Sequence, residues 1–289
     1  MKLLSAAFLL LAFPQDKVEL RWKWQKGLEL VYQSSNRTLM QFGGRPIDQQ
    51  MGYTYSMTVT NLSESGEATI LVKYLAVVAK GAGPGGDFAY DSEKDKEPPA
   101  EGPAAMQARM IGQSFTMTMN ALGRITEVKG YDKVLEAMMK DLGDDAGPMK
   151  MQLKQMFNND IFKGMMQRMA PPLPEGKVGK GDTWTDDFVV KMPMLGGMKF
   201  AMKATLAGVE DGKASIDQDV QIGLVGETND NPLAGLMEIK DGAVKGTAVF
   251  SIEKGCYLSQ KSTLDMKIGA GGTEMPMKSI LELKLVIKK

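Results

Sequence analysis

Apolar and polar residues alternate along most of the chain, and this period of two predicts β-strands. The stretch YTYSMTVT at 53–60 carries only Thr and Ser on one face, while the other face is apolar. The same alternation recurs in SFTMTM at 114–119, KFAMKATLAG at 199–208 and ILELKLVIKK at 280–289. Strands with one polar face are typical of antiparallel sheets. The pattern therefore predicts a mainly β (α+β) fold, a long antiparallel meander whose sheet is curved or a half-barrel.

Two tracts interrupt the alternation. Residues 80–103 are rich in Gly, Pro and charged residues, a composition that predicts a flexible loop. Residues 131–175 instead repeat apolar residues at helical spacing, and Pro148, Pro171 and Pro172 stand where helices begin or end. We therefore expect a Met-rich helical insertion between two runs of strands.

The two runs share a weak internal similarity. Each opens with a Lys-Gly pair, Lys26-Gly27 in the first and Lys180-Gly181 in the second, and each has a Gly-centred turn at a matching place. We interpret residues 16–130 as a first β half, 131–175 as the helical insertion and 176–289 as a second β half. Residues 16–289 then form either one domain or two related halves.

The amino terminus, MKLLSAAFLLLAFPQD, has one Lys followed by an apolar run that ends at Phe13. A bilayer-spanning helix needs about 20 residues, so the run is too short to be a span. It fits the apolar region of a secretory signal peptide, which we assign to residues 1–15. We expect an exported protein, periplasmic or extracellular, with no transmembrane segment.

Composition argues against several kinds of chemistry. Lys plus Arg and Asp plus Glu are 35 each, and such a balance disfavours nucleic acid as a partner. The chain has no histidine, which excludes Ser-His-Asp and Cys-His catalysis. Cys256 is the single cysteine, and Asp186 and Asp187 would point to opposite faces of a strand. We therefore expect no enzyme activity, no catalytic residues, no metal ligands and no cofactor.

Methionine is the unusual feature, with 24 residues in the chain. Its unbranched, polarisable side chain suits an adaptable apolar groove, although stripes at strand and helix spacing also suit ordinary core packing. We expect the stripes to line a groove between the sheet and the helices. The candidate lining residues are Tyr53, Tyr55, Met57, Phe115, Met117, Met119, Phe162, Met165, Met166, Met169, Phe200 and Met202.

Three segments carry a resemblance to known proteins: LRWKWQKGLELVY, MTMNALGRITEVKGY and PPLPEGKVGKGDTWTDDF. From about Val18 to its end, the chain resembles an uncharacterised family of exported bacterial β-rich proteins. More distantly, its layout is similar to the LolA-like lipoprotein carriers of the bacterial periplasm, half-barrels that hold acyl chains. The first resemblance implies no catalytic residues, and the second implies a lipid or an acylated partner.

The sequence thus predicts an exported, non-enzymatic protein that holds an apolar or lipid-like ligand in the groove. One alternative is a structural or partner-binding cell-envelope protein with a closed core and no small-molecule ligand. A weaker alternative is copper(I) binding through thioethers, since the motif MPM occurs at 192–194 and again at 275–277.

Overall fold

The structure is a computed structural model. It describes residues 17–42, 45–83, 86–140, 147–156, 158–169, 172–192, 196–225, 237–270 and 273–288. The predicted signal peptide, residues 1–15, lies outside the described residues.

Twelve antiparallel strands make up one sheet in the described part of the chain, as the alternation predicted. They are β1 Glu29–Phe42, β2 Arg45–Leu62, β3 Ala68–Gly83, β4 Gly86–Asp91, β5 Ser114–Met119, β6 Ile125–Lys129, β7 Thr183–Met192, β8 Gly196–Glu210, β9 Lys213–Val225, β10 Met237–Ser251, β11 Cys256–Ala270 and β12 Thr273–Lys288. The helices are α1 Gly102–Ala108, α2 Tyr131–Met138, α3 Gly147–Met156 and α4 Asn159–Met169. The predicted helical insertion is therefore confirmed.

The sheet order is β6-β5-β3-β2-β1-β12-β11-β10-β9-β8-β7, with β4 paired to the far end of β3. The first and last strands thus pair at the centre, through contacts such as Ser34 with Leu283. Strands β1–β6 form a first half on one side of this pair, and β7–β12 form a second half on the other. The sheet is open, and its two outermost strands are β6 and β7.

Residues 80–103 have more regular structure than the flexible loop predicted from their composition. They contain the end of β3, the whole of β4 and the start of α1. Phe88 and Tyr90 supply an apolar face on β4, and both pack against a small cluster that includes Ala79 and Ala104. Burial of these aromatic side chains explains why a Gly-rich and charged tract still forms a hairpin.

Helix α4 contacts both outermost strands, β6 and β7. One helix reaches the two ends of the sheet because the sheet curls around its inner face, which carries the core. Gln167 on α4 accepts a hydrogen bond from the Ile125 backbone N–H at 2.8 Å and donates to the Gly123 carbonyl at 3.1 Å. The helix thereby satisfies backbone groups at a sheet edge that would otherwise be open.

The residues before β1 fill one end of the curled sheet. Trp22 and Trp24 are buried and stacked, with ring centroids 4.6 Å apart, and Trp22 also packs edge-on against Phe250 and Tyr257. The Lys23 backbone N–H donates to the Gly255 carbonyl at 3.1 Å, close to this stack. This segment joins the two halves into one large hydrophobic core.

An ion pair joins the two edges of the sheet. The Arg124 guanidinium, next to β6, lies 2.8 Å from the Asp186 carboxylate on β7, whose side chain is 11 % exposed. Burial raises the pKa of the Asp186 carboxyl, although the positive charge of Arg124 acts in the opposite direction. The folded protein therefore favours the protonated carboxyl more than the unfolded chain does. Asp186 contributes stability at low pH, and this contribution is lost as pH rises through the folded pKa.

We expect Arg124→Ala to lower the free energy of unfolding by about 1 to 2 kcal/mol at pH 7, because it leaves a buried carboxylate unpaired. Asp186→Asn should leave the free energy of unfolding unchanged or raise it at pH 7. The difference in this free energy between the variant and the native protein should vanish as pH falls. Urea denaturation at several pH values measures both. Lys199→Ala removes an exposed partner of Asp187 and is the control, with an expected change below about 0.5 kcal/mol. Strong destabilisation by Asp186→Asn would contradict the assignment.

Candidate functional site

Most of the predicted groove residues lie in the packed core. Met117 and Phe200 are 2 % and 1 % exposed, and Tyr55, Met57, Phe115, Met119, Phe162 and Met202 are also buried. Tyr53 and Met166 are partly buried and pack against the core of the first half, whereas Met165 packs against a second cluster around Phe200. The side chain of Met169 lies outside the described residues. Ligand lining by this set stays a prediction.

Aromatic rings fill the space between the sheet and the helices in the first half. Phe162 on α4 stacks on Tyr131 of α2 with ring centroids 3.4 Å apart, and Phe115 of β5 meets Phe162 edge-on at 5.1 Å. The Tyr53 hydroxyl donates to the Gln107 side-chain oxygen of α1 at 2.8 Å. Burial raises the pKa of Tyr131 to about 12, so this hydroxyl stays neutral at physiological pH. These contacts are typical of a core.

The inner face of the second half differs, because a continuous band of apolar side chains there is only half-buried. Strand register places Val220, Val244 and Leu264 in one row across β9, β10 and β11. The next row along contains Met266, Met277 and Met40 on β11, β12 and β1. We call these six residues the apolar floor. They cross five neighbouring strands, β9 to β12 of the second half and the adjoining β1 of the first, on the face of the sheet that also carries Phe200.

Helix α4 borders the apolar floor on one side. Its residues Ile161 and Met165 belong to the cluster around Phe200, and Val220, Val244 and Leu264 pack against this same cluster. Gly164 lies against Val190 of β7, where an added Cβ would come within 2.7 Å of a Val190 methyl group. The helix therefore sits close to the sheet edge and leaves the middle strands free of described helical cover.

Buried polar residues border the floor on another side. Ser34, Ser262, Ser279, Gln218 and Gln260 are all buried, and all lie on the inner face. Gln260 donates from Nε2 to the Gln218 Oε1 at 3.3 Å, while Gln218 Nε2 and Gln260 Oε1 have no hydrogen-bond partner. Sequence reasoning missed this feature. The available signal was Gln218, which interrupts the apolar alternation of Ile216, Val220 and Ile222.

Three of the cavities bordered by described residues lie mainly on the outer face. The cavity of about 550 Å³ is bordered by outward residues such as Leu39, Pro46 and Lys278. Another, of about 560 Å³, lies among Lys203, Asp219 and Lys245, and a third holds about 230 Å³. Most of these side chains alternate with those of the inner face, although the inward positions Met40, Met266 and Met277 also border the cavity of about 550 Å³. The cavities are grooves of the curved sheet with polar, charged and apolar residues along their walls.

The described residues offer little for catalysis. Cys256 is 1 % exposed, and burial raises the pKa of its thiol, so the thiolate is disfavoured. Among the described side chains there is no group of three or more His, Cys, Asp or Glu residues that would hold a metal ion. Of the helices that the structure describes, none has the length and apolar character that crossing a membrane requires.

A comparison with protein families identifies a match over most of the chain. The family model described as "Family of unknown function (DUF6263)" matches residues 65–256, more than half of the 289 residues. The match includes strands of both halves and the four described helices. A comparison with curated proteins gives no match.

Comparisons with solved structures give weak likeness. DynF from the dynemicin biosynthesis pathway of Micromonospora chersina is 7 % identical, with 97 % of this chain and 92 % of that chain covered and a TM-score of 0.20. OccK5 (OpdH) of Pseudomonas aeruginosa is 8 % identical, with 90 % and 98 % covered and a TM-score of 0.22. At these TM-scores the likeness carries no inference about fold or function.

Proposed function

The chain belongs to the DUF6263 family, and we propose that it is an exported, non-enzymatic binding protein that holds a lipid-like ligand on the apolar floor. The observation that carries this proposal is the contrast between the two halves. Much of the inner face of the first half is buried against helices and the segment before β1, whereas the six floor residues, five of them on β9 to β12 of the second half, remain half-buried. A contiguous apolar surface of this kind is a common feature of binding sites.

The shape of the floor favours an elongated ligand such as an acyl chain. Its residues run from Val220 on β9 to Met40 on β1, which is four inter-strand spacings, or about 19 Å. Each methylene group removed from water contributes about 0.8 kcal/mol, so a long chain gains several kcal/mol from such a surface. Three of the six floor residues are methionines, whose flexible thioether side chains adapt to ligands of different shape.

Export and a periplasmic or extracellular site of action are part of the proposal. They rest on the sequence of residues 1–15 and on the resemblance to exported bacterial proteins. The resemblance to LolA-like carriers concerns only the arrangement of elements, an open curved sheet with a helical insertion. It supports an acyl or acylated ligand as an analogy of fold.

A fluorescent fatty acid tests the floor directly. Leu264→Asn places an amide in the middle of the floor and should weaken binding of the probe at least about 10-fold, because the amide must be desolvated against the chain. Thr263→Asn, the adjacent residue on the outer face, is the matched control and should leave the dissociation constant unchanged. Titration of protein purified without detergent measures both, with circular dichroism to confirm folding.

Two outcomes of this titration would overturn the proposal. If the native protein binds no acyl probe, the alternative of a structural or partner-binding envelope protein is favoured, as the filled core of the first half suggests. If both variants lose binding equally, the probe binds elsewhere.

Copper(I) has a specific candidate site in the row Met40, Met277 and Met266, since thioethers suit this ion and the three residues pair across neighbouring strands. Tight copper(I) binding that Met277→Leu abolishes would favour that function instead.

A further inference from the structure

Two glutamines, Gln218 of β9 and Gln260 of β11, meet over the intervening strand β10. They are 7 % and 4 % exposed, and one hydrogen bond of 3.3 Å joins them. A side-chain amide has one carbonyl oxygen and one NH₂ group, so a single mutual bond leaves one donor and one acceptor over. These are Gln218 Nε2 and Gln260 Oε1, and neither has a partner.

Strand β10 is shaped to admit this contact. Gly246 lies between Gln218 and Ser262 in the cross-strand row, and it has no side chain to separate the two amides. A Cβ at this position would approach the Ser262 Cβ and the Lys261 carbonyl oxygen to 2.7 Å each. The close approach of the glutamines therefore depends on a glycine at residue 246.

The pair is costly for the folded protein alone. A buried polar atom without a partner loses its hydrogen bonds to water and gains none in return. Two apolar side chains of similar size at these positions would avoid that loss. The unpaired donor and acceptor therefore do not stabilise the folded protein by themselves. They are better explained by a bound group that supplies a hydrogen-bond partner to each of them.

The pair also lies at the end of the apolar floor. The inward residue after Gln218 on β9 is Val220, and on β11 the inward residues after Gln260 are Ser262 and then Leu264. Two positions along a strand span about 7 Å, so Gln218 lies one such step from the floor and Gln260 lies two. A chain whose end lies at Val220 thus ends next to Gln218 and close to its partner Gln260.

We propose that Gln218 and Gln260 form the head-group site for an acyl ligand whose terminal group is neutral and both donates and accepts a hydrogen bond. This inference rests on the proposed function and specifies its ligand class. A primary amide or a protonated carboxylic acid has this chemistry, accepting from Gln218 Nε2 and donating to Gln260 Oε1. An ester has no donor, and a phosphate carries charge that the site does not neutralise.

Two uncharged probes of equal chain length test the inference. Hexadecanamide has the donor and the acceptor, whereas methyl hexadecanoate has the acceptor alone. In competition with a fluorescent fatty acid, the native protein should bind the amide at least about 10-fold more tightly than the ester, because a buried polar site discriminates against a ligand that leaves it unpaired. Hexadecanoic acid should bind more tightly as pH falls, because only its protonated form both donates and accepts a hydrogen bond.

Variants then assign the preference to the glutamines. The double variant Gln218→Leu/Gln260→Leu should lose the amide preference and keep its affinity for the ester. In thermal denaturation without ligand, the double variant should have a melting temperature equal to or higher than that of the native protein. Gln218→Met, close in volume, removes the free Nε2 donor together with the Oε1 that accepts from Gln260, and it should reduce the preference even if the double variant folds poorly. Leu264→Asn is the contrasting change, since it should weaken both probes alike.

The outcomes separate this inference from the proposed function. Equal binding of amide and ester by the native protein overturns the head-group site and leaves the acyl carrier intact. A preference that survives in Gln218→Met and in the double variant overturns it as well. Binding of neither probe overturns both proposals together.

Discussion

Replacing Phe162 by alanine is expected to lower the free energy of unfolding by about 3 to 5 kcal/mol, the range for deleting a buried phenyl ring. Phe162 is 7 % exposed and lies between Tyr131 and Phe115, with centroid distances of 3.4 and 5.1 Å. The deletion leaves a cavity at the point where α4, α2 and β5 meet. Because these elements belong to different parts of the chain, the surrounding side chains cannot easily close it.

Urea denaturation measures the Phe162→Ala effect. Met151→Ala, on α3 with Met151 61 % exposed, is the control and should change stability by less than about 0.5 kcal/mol. Hydrogen exchange adds a local measurement, since the Ile125 amide is protected by Gln167 of α4. That amide should exchange faster in Phe162→Ala than in the native protein. A loss below about 1 kcal/mol would mean that Phe162 is not packed between Tyr131 and Phe115 in solution.

Replacing Trp22 by alanine is the second change with a large expected effect, again about 3 to 5 kcal/mol. Trp22 is 5 % exposed and contacts Trp24, Phe250 and Tyr257, so its loss empties the end of the core where both halves meet. Unfolding should remain a single transition if the two halves share this core. Separate transitions in circular dichroism and tryptophan fluorescence would contradict the shared core.

Phenylalanine variants separate packing from hydrogen bonding at this stack. The Trp22 indole N–H has no partner, whereas the Trp24 indole N–H donates to the Asn120 carbonyl at 3.3 Å. Trp22→Phe should therefore cost less than Trp24→Phe, by about the 1 kcal/mol of one hydrogen bond. The reverse order in urea denaturation would show that packing alone decides both values.

Local patterns were sufficient for much of the fold. The alternation in SFTMTM placed Phe115, Met117 and Met119 on one face, and all three are buried. The period of two is a property of the extended chain, so it is readable without knowing the partner strand. The helical insertion was equally readable. The structure of residues 80–103 was harder to predict, because composition does not reveal that Phe88 and Tyr90 pack in a hydrophobic cluster.

The candidate site was harder to predict. Alternation identifies an inward side chain but not the atoms that lie against it. Met117 and Met266 both stand on an inward face, yet Met117 is buried under helices while Met266 is half-buried in the apolar floor. Sequence spacing also could not bring together Gln218 and Gln260, which are 42 residues apart and meet only through the register of β10 with both neighbours.

The sequence by itself thus determined the strands, their buried faces and the helical insertion, because these follow from side-chain periods of 2 and 3.6 residues. Only the tertiary structure decided that β1 pairs with β12, that α4 lies against both β6 and β7, and which inward residues are covered. Strand order and helix placement depend on contacts between residues far apart in the chain. The packed core of the first half and the apolar floor, which lies mostly in the second, have the same sequence pattern. They differ because described helices contact β3 to β6 in the first half, whereas α4 only borders the floor.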